Sequence, residues 1–295
     1  MRIGYPCINT TIGCRAGRTF RLGSYSEERL LATVQGNLDC LARILEYNSR
    51  HRLLFLRITS DLVPFASHPV CRCPWQRHFA AQLPDIGRYI TEHGMRISMH
   101  PDQFVVLNSP NEAVVESSVR ELRYHTEVLD LMGLDLSARI QLHAGGVYGD
   151  RARAMGRFLD RYRALNPAIR RRLVLENDDR CYCLADCLEL HAAAGIPVLF
   201  DAFHHQLHHR GEGQAEALAS AARTWTAADG LPMVDYSQPA PGAGRGSHAG
   251  SIDIRAFRSF LAATAPLDFD LMLEIKDKER SAIRAVKAAA GDGRL

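Results

Sequence analysis

Nine residues able to bind a metal ion stand at or just past the ends of short apolar runs. Ile97-Ser98-Met99 leads into His100, Ile140-Gln141-Leu142 into His143, and Leu173-Val174-Leu175 into Glu176. Val198-Leu199-Phe200 leads into Asp201, and Leu271-Met272-Leu273 into Glu274. His68, His204, Asp235 and His248 lie within or close to the ends of other such runs. One such ending means little, because a lone histidine at a strand end is more often a hydrogen-bonded structural residue. Glu176 and Glu274 taken singly would suit ion pairs. Independent structural uses would not set acceptors at the same end of nearly every run. Imidazoles mixed with carboxylates suit Mn, Fe or Zn. So many ligands exceed the needs of one ion, so two or three are expected. Such clusters hold ions ~3.5–4 Å apart and clamp the attacking and leaving oxygens of a phosphoryl displacement. His205, His208 and His209 follow His204 closely, so part of that run reads as a surface loop.

The elements that must position these residues recur along the chain. Strands are predicted at Arg2–Ile8, Leu53–Thr59, Arg96–His100, Arg139–His143, Arg172–Glu176, Pro197–Asp201, Pro232–Ser237 and Asp270–Ile275. Their apolar residues run on instead of alternating, as in strands buried on both faces of a parallel sheet. Helical patterns lie between them: Glu27–Tyr47 behind a Ser26 cap, Trp75–His93, Glu112–Met132, Arg151–Leu165, Leu184–Ala194, Glu212–Ala228, Ile254–Ala263 behind Asp253, and Lys278–Ala290. Alternation of this kind predicts a single-domain (β/α)8 TIM barrel over residues 1–295, with its active site at the C-terminal ends of the strands. A doubly wound open sheet is the alternative, but no Gly-rich phosphate turn follows Ile8. The stretch 238–250, rich in Pro and Gly, reads as a long active-site loop.

Composition narrows the class. The chain has 295 residues, 46% of them hydrophobic and 23% charged, as in an ordinary soluble globular protein. No run approaches the ~18–20 apolar residues of a membrane span. The start, Met1-Arg2-Ile3-Gly4-Tyr5-Pro6, lacks the regions of a signal peptide, so a cytoplasmic location is expected. A net charge of +3 neither demands nor excludes nucleic acid. Lys276, Lys278 and Lys287 are the only lysines; the other cations are arginines, which suit phosphate contacts. The eight cysteines are expected to be reduced. Cys71-Arg72-Cys73 and Cys181-Tyr182-Cys183, with Cys187, have the wrong spacing for the usual zinc pairs and read as small packed thiols.

Taken with these strand ends, longer strings resemble the UV damage endonucleases, relatives of endonuclease IV. They are Arg57-Ile58-Thr59-Ser60-Asp61-Leu62-Val63-Pro64, Met99-His100-Pro101-Asp102-Gln103-Phe104, Leu142-His143-Ala144-Gly145-Gly146, Leu175-Glu176-Asn177-Asp178, Phe200-Asp201 with His204, and Glu274-Ile275-Lys276-Asp277-Lys278. His-Pro-Asp-Gln-Phe is the most specific string, and the likeness covers roughly residues 1–280. The resemblance implies a DNA repair nuclease that nicks double-stranded DNA immediately 5′ to UV photoproducts, leaving a 3′-hydroxyl and a 5′-phosphate. It implies a metal cluster, usually of Mn²⁺ (Zn²⁺, Co²⁺ and Mg²⁺ being the other candidates), on the nine residues named above. His100, His143, Glu176 and Glu274 are then the expected catalytic residues, and the protein is expected to act as a monomer. Gln103 and Phe104 match a pair that probes the duplex, and Tyr5 and Asn9 match residues near the flipped dipyrimidine. A bulky dimer must leave the stack to approach the metals, and a damaged base costs least to unstack. Without the resemblance, Phe104 in Phe-Val-Val-Leu reads as core.

The chain departs from the pattern at strand seven. Lys-x-His-aromatic-Ser becomes Met233-Val234-Asp235-Tyr236-Ser237, and Gly250 stands where an acidic residue is expected two positions after His248. Asp235 can still bind Mn²⁺, whereas Met233 cannot bind hard ions. A non-catalytic damage-binding homologue and a metal-dependent sugar isomerase on the same barrel therefore stand as alternatives, with incision at abasic sites a variant of the same chemistry.

Overall fold

The computed structural model describes residues 1–295. Eight parallel strands close into a barrel in the order β1 to β8. They are β1 (Ile3–Pro6), β2 (Phe55–Ile58), β3 (Arg96–Met99), β4 (Arg139–His143), β5 (Leu173–Glu176), β6 (Val198–Asp201), β7 (Met233–Tyr236) and β8 (Asp270–Leu273). The outer helices are α1 (Glu27–His51), α2 (Trp75–His78), α3 (Gln82–Glu92), α4 (Glu112–Leu131), α5 (Arg151–Ala164), α6 (Pro167–Arg170), α7 (Leu184–Ala194), α8 (Ala202–Leu207), α9 (Gln214–Ala222), α10 (Ile254–Ala263) and α11 (Glu279–Ala288). All eight predicted strands are present, each trimmed by up to three residues where the chain leaves the ladder.

Local chemistry sets the helix ends. The Ser26 hydroxyl accepts from the Arg29 N–H at 3.1 Å and caps α1, which buries Leu30, Val34, Leu38, Leu41 and Leu45 against the barrel. The predicted helix Trp75–His93 breaks at Phe79–Ala81 into α2 and α3. Pro84 explains the break, since its ring tolerates only the first turn of a helix. The predicted Glu212–Ala228 shortens to α9, after which the Thr224 hydroxyl donates to the Ala221 carbonyl and accepts from the Val198 N–H.

Inside the barrel, side chains stack in layers. At the N-terminal end Arg96 pairs with Asp270 at 2.9 Å, with Trp225 against its guanidinium. Above this lies a dry layer of Phe55, Val174, Leu199, Met233 and Met272. Two residues further along the same strands come Arg57, Glu176, Asp201, Asp235 and Glu274. The two-residue repeat of a strand therefore fixes the site: each apolar position of the dry layer aims the next inward residue at the barrel mouth. Met233 belongs to that floor, with 1% of its surface exposed.

The expectation of eight free thiols is overturned. Cys14 and Cys40 form a disulfide, with Cα atoms 5.9 Å apart, joining the β1–α1 loop to α1. The pairing is between residues 26 apart, on a loop and a helix that sequence spacing alone does not bring together. The other six cysteines are free, as expected.

Candidate metal centre

Five of the nine candidate ligands meet in two overlapping triads. His100, His143 and Glu176 form one, and Glu176, Asp201 and His204 the other, with ligand atoms within 4.8 Å of one another in each. They come from the ends of β3, β4, β5 and β6 and from the first turn of α8. Glu176 is shared. Its Oε2 lies 3.3 Å from His100 Nε2, and its Oε1 lies 3.8 Å from His143 Nε2 and 3.5 Å from His204 Nδ1. The three imidazoles form a row, with ring centres 5.4 and 5.8 Å apart.

Surrounding bonds orient these groups. The His100 Nδ1–H donates to the Pro101 carbonyl at 2.8 Å, which directs Nε2 toward Glu176. Asp201 Oδ1 caps α8 by accepting from the N–H groups of Phe203 and His204, each at 2.7 Å. Asn177 fixes the ends of β5 and β6 together by two bonds to the Asp201 backbone, at 2.9 and 3.0 Å. Among the nine candidate ligands, three buried polar atoms find no hydrogen-bond partner: His143 Nδ1, Asp201 Oδ2 and Asp235 Oδ1. The unpartnered carboxylate oxygen of Asp201, within the second triad, fits a divalent cation.

Charge is concentrated at this level. Burial pulls against protonation of His204, but Asp201 at 3.4 Å and Glu176 outweigh it and lift the imidazole to about 11. Burial would raise Glu176, yet His143, His100 and His204 hold it well below the usual carboxylate range.

Asp235 and Glu274 form a second group around Arg57. The Arg57 guanidinium donates to Asp235 Oδ2 at 2.6 Å, to Gln141 Oε1 at 3.0 Å, and to Glu274 Oε1. Gln141 in turn donates to Asp235 Oδ2 at 2.7 Å and to Glu176 Oε2 at 2.8 Å, linking the two groups. Burial, then Glu274 and Glu176, raise Asp235 to about 7 despite Arg57. Burial would raise Glu274 as well, but Arg57 holds it below its ordinary value. The His248 Nδ1–H donates to the Glu274 carbonyl at 2.8 Å, and its ring packs on Phe203. His68 stands apart from the triads: it is exposed, and its Nδ1 accepts from the Val70 N–H at 3.1 Å.

The lesion-binding candidates divide in the same way. Gln103 and Phe104 are exposed on the β3–α4 loop, Phe104 at 56%, beside a hollow of about 620 Å³ that also takes in Arg57, His100 and His143. The core reading of Phe104 therefore fails, because the loop turns it outward while Val105 and Leu107 pack inward. Tyr5 and Asn9 are buried. The Tyr5 hydroxyl donates to Asn48 Oδ1 and accepts from Asn9 Nδ2, and Asn9 Oδ1 accepts from the Thr11 and Ile12 N–H groups. In this structure they brace the β1–α1 loop. A larger hollow of about 710 Å³ beside α10 contains none of the nine candidate ligands.

Sequence reasoning missed Arg57, Gln141 and Asn177 as parts of the site. The signal for the first two was a polar residue inside an otherwise apolar strand.

The fold and site define a (β/α)8 barrel carrying a histidine and carboxylate centre at its mouth. The family model described as "UV-endonuclease UvdE" matches residues 1–291. A UV DNA damage endonuclease of Clostridium perfringens (strain 13 / Type A) is 36% identical over 290 residues, covering 98% of this chain and 70% of that one. The crystal structure of SacUVDE superposes with a TM-score of 0.95 at 44% identity, over the whole of both chains. Endonuclease IV from Thermus thermophilus shares the fold, with a TM-score of 0.60 at 19% identity over 85% of this chain and 93% of that one. The chain belongs to the UV-endonuclease UvdE family, and is an endonuclease whose substrate is DNA.

Proposed function

We propose that this chain nicks double-stranded DNA immediately 5′ to UV photoproducts by metal-assisted hydrolysis, leaving a 3′-hydroxyl and a 5′-phosphate. The observation that carries the reading is the pair of triads sharing Glu176, set beside an exposed Gln103-Phe104 loop. Residues 1–295 act as one unit, as a monomer in the cytoplasm. No helix of the structure is long and apolar enough to cross a membrane.

His100, His143 and Glu176 would hold one divalent ion, and Glu176, Asp201 and His204 another. Mn²⁺ suits this mixture of donors. When bound, such ions lower the pKa of a water nucleophile and offset the charge that builds on the phosphate and the leaving oxygen. The protein's own part is orientation and exclusion. His100 presents Nε2 in a fixed tautomer. His204 must give up its proton before it can ligate. Arg57 holds Asp235 and Glu274 in place and balances part of their charge. A third ion at Asp235, Glu274 and His248, with or without His68, would compete with this guanidinium, so we place two ions here. The dry layer below keeps water to one side of the site. Gln103 and Phe104 fill the gap left by an extruded dipyrimidine, which costs less to unstack than an intact pair.

Supercoiled plasmid tests the reading. UV-irradiated plasmid with Mn²⁺ should relax, while unirradiated plasmid, or irradiated plasmid with EDTA, should not. Binding to irradiated plasmid without any nick would leave only the non-catalytic alternative.

A further inference from the structure

Five large apolar side chains are well exposed: Ile8, Leu22, Phe104, Tyr148 and Leu295. Leu295 is the last residue. The other four all lie on loops at the C-terminal mouth of the barrel, after β1, β3 and β4. Phe104 has a place in the proposed chemistry. Tyr148, 49% exposed on the β4–α5 loop, has none.

The structure holds Tyr148 in position with some care. Its φ is +53°, a left-handed conformation that residues with a Cβ disfavour. Such backbone persists only where its surroundings impose it. Here Asn108, on the loop that carries Phe104, exchanges two bonds with Gly146: Nδ2 donates to the Gly146 carbonyl at 2.8 Å, and Oδ1 accepts from the Gly146 N–H at 3.2 Å. Gly145 makes this approach possible, because at its φ of +102° a Cβ would stand 2.3 Å from Asn108 Oδ1. Arg157 completes the brace. Its Nε–H donates to the Asn108 carbonyl at 2.9 Å, and its guanidinium lies 5.4 Å from the centre of the Tyr148 ring. The loops bearing Phe104 and Tyr148 are thus fastened to each other, and the exposed ring is backed by a cation.

We propose that Tyr148 is a second base-stacking side chain, which receives a base of the damaged duplex next to the position probed by Gln103 and Phe104. The inference rests on the DNA-incision reading. A ring fixed in advance loses little conformational freedom when a base stacks on it. A protein partner would call for a contiguous apolar patch, whereas these side chains are distributed over three loops around an ionic centre. That distribution suits a duplex lying across the mouth.

Single-turnover nicking of a duplex with one thymine dimer, at rising concentrations of the metal-loaded enzyme, gives both a half-saturating concentration and a plateau rate. Tyr148→Ala should raise the half-saturating concentration about tenfold, a typical loss for one stacked base, and should affect it more than the plateau. Tyr148→Phe should restore it, and the salt dependence should stay as in the parent, since no phosphate contact is removed. Equal saturation of Tyr148→Ala and the parent would overturn the inference. So would failure of Tyr148→Phe to restore binding, or a fall in melting temperature that accounts for the loss. A parent enzyme that nicks normally while Tyr148→Ala saturates alike refutes this proposal alone; a parent that neither binds nor nicks refutes the DNA reading with it.

Discussion

Replacing Glu176 by Gln isolates what the shared carboxylate does. Glutamine keeps the shape and can still accept the 2.8 Å bond from Gln141, so the barrel should fold. What it removes is the one negative charge that faces His100, His143 and His204 together. An ion bound only by the folded state at about one hundred times its dissociation constant stabilises by about 2.7 kcal/mol. For 295 residues at about 2.1 cal/mol/K each, the unfolding entropy is about 0.6 kcal/mol/K. The melting temperature of the parent should therefore rise about 4 °C for each ion bound, so about 9 °C when Mn²⁺ saturates both triads. Because both triads depend on Glu176, the variant should lose nearly all of that rise. Its metal-free form should also melt somewhat lower, since His204 loses one of its two carboxylate neighbours. Differential scanning fluorimetry with and without Mn²⁺ reads both numbers. A variant that shows the full Mn²⁺-dependent rise would refute the placement of the ions on Glu176.

Proton linkage gives a signed prediction for the metal-free protein. Asp235 titrates near 7 in the folded state, far above its ordinary 3.8, and His204 near 11 against 6.5. Both groups bind protons more tightly when folded, so their contributions are present at low pH. The first is lost between about pH 4 and 7 and the second between about 6.5 and 11. Metal-free stability should fall as pH rises from 7 to 9, above the range in which the depressed histidines His125, His143 and His205 gain stability with rising pH, while Mn²⁺ affinity rises because ligation displaces the His204 proton; calorimetry in buffers of different ionisation enthalpy would detect that release, and its absence would count against His204 as a ligand. Phe104→Ala should reduce the preference for irradiated over intact DNA more than it reduces the nicking rate, as competition with undamaged duplex would show. Closing a 26-residue interval, the Cys14–Cys40 bridge should contribute about 3.5 kcal/mol by loop entropy, so reduction should lower the melting point by about 6 °C; eight titratable thiols in unreduced protein would contradict the pairing.

The barrel was legible because its signals are local. Each strand is a short apolar run, and in five of them the residue that ends the run or follows it is a candidate ligand. The pleat explains why: Val174 and Glu176, or Leu199 and Asp201, point the same way two residues apart, one to the dry layer and one to the mouth. Met233 and Asp235 follow the same rule, so the departure at strand seven has two separate meanings. Met233 extends the apolar floor, and Asp235 meets a guanidinium. That second fact was not legible, because Arg57, Gln141, Asp235 and Glu274 come from four strands far apart in the chain, and no spacing rule joins them. The same holds for Cys14 with Cys40 and for Asn108 with Gly146. Exposure was also hidden: Phe104 sits in an apolar string, and only the path of the β3–α4 loop shows that it faces outward while Tyr5 and Asn9 face inward.

The measurement that bears most directly on the proposed chemistry is end-mapping of a labelled duplex carrying one thymine dimer at a known position. With Mn²⁺, one product should appear, cut at the phosphodiester immediately 5′ to the dimer and bearing a 3′-hydroxyl that a polymerase extends. Glu176→Gln and His100→Ala should yield no product. Cleavage at the same rate in the intact duplex, cleavage that persists in EDTA, or a product that a polymerase cannot extend would contradict it.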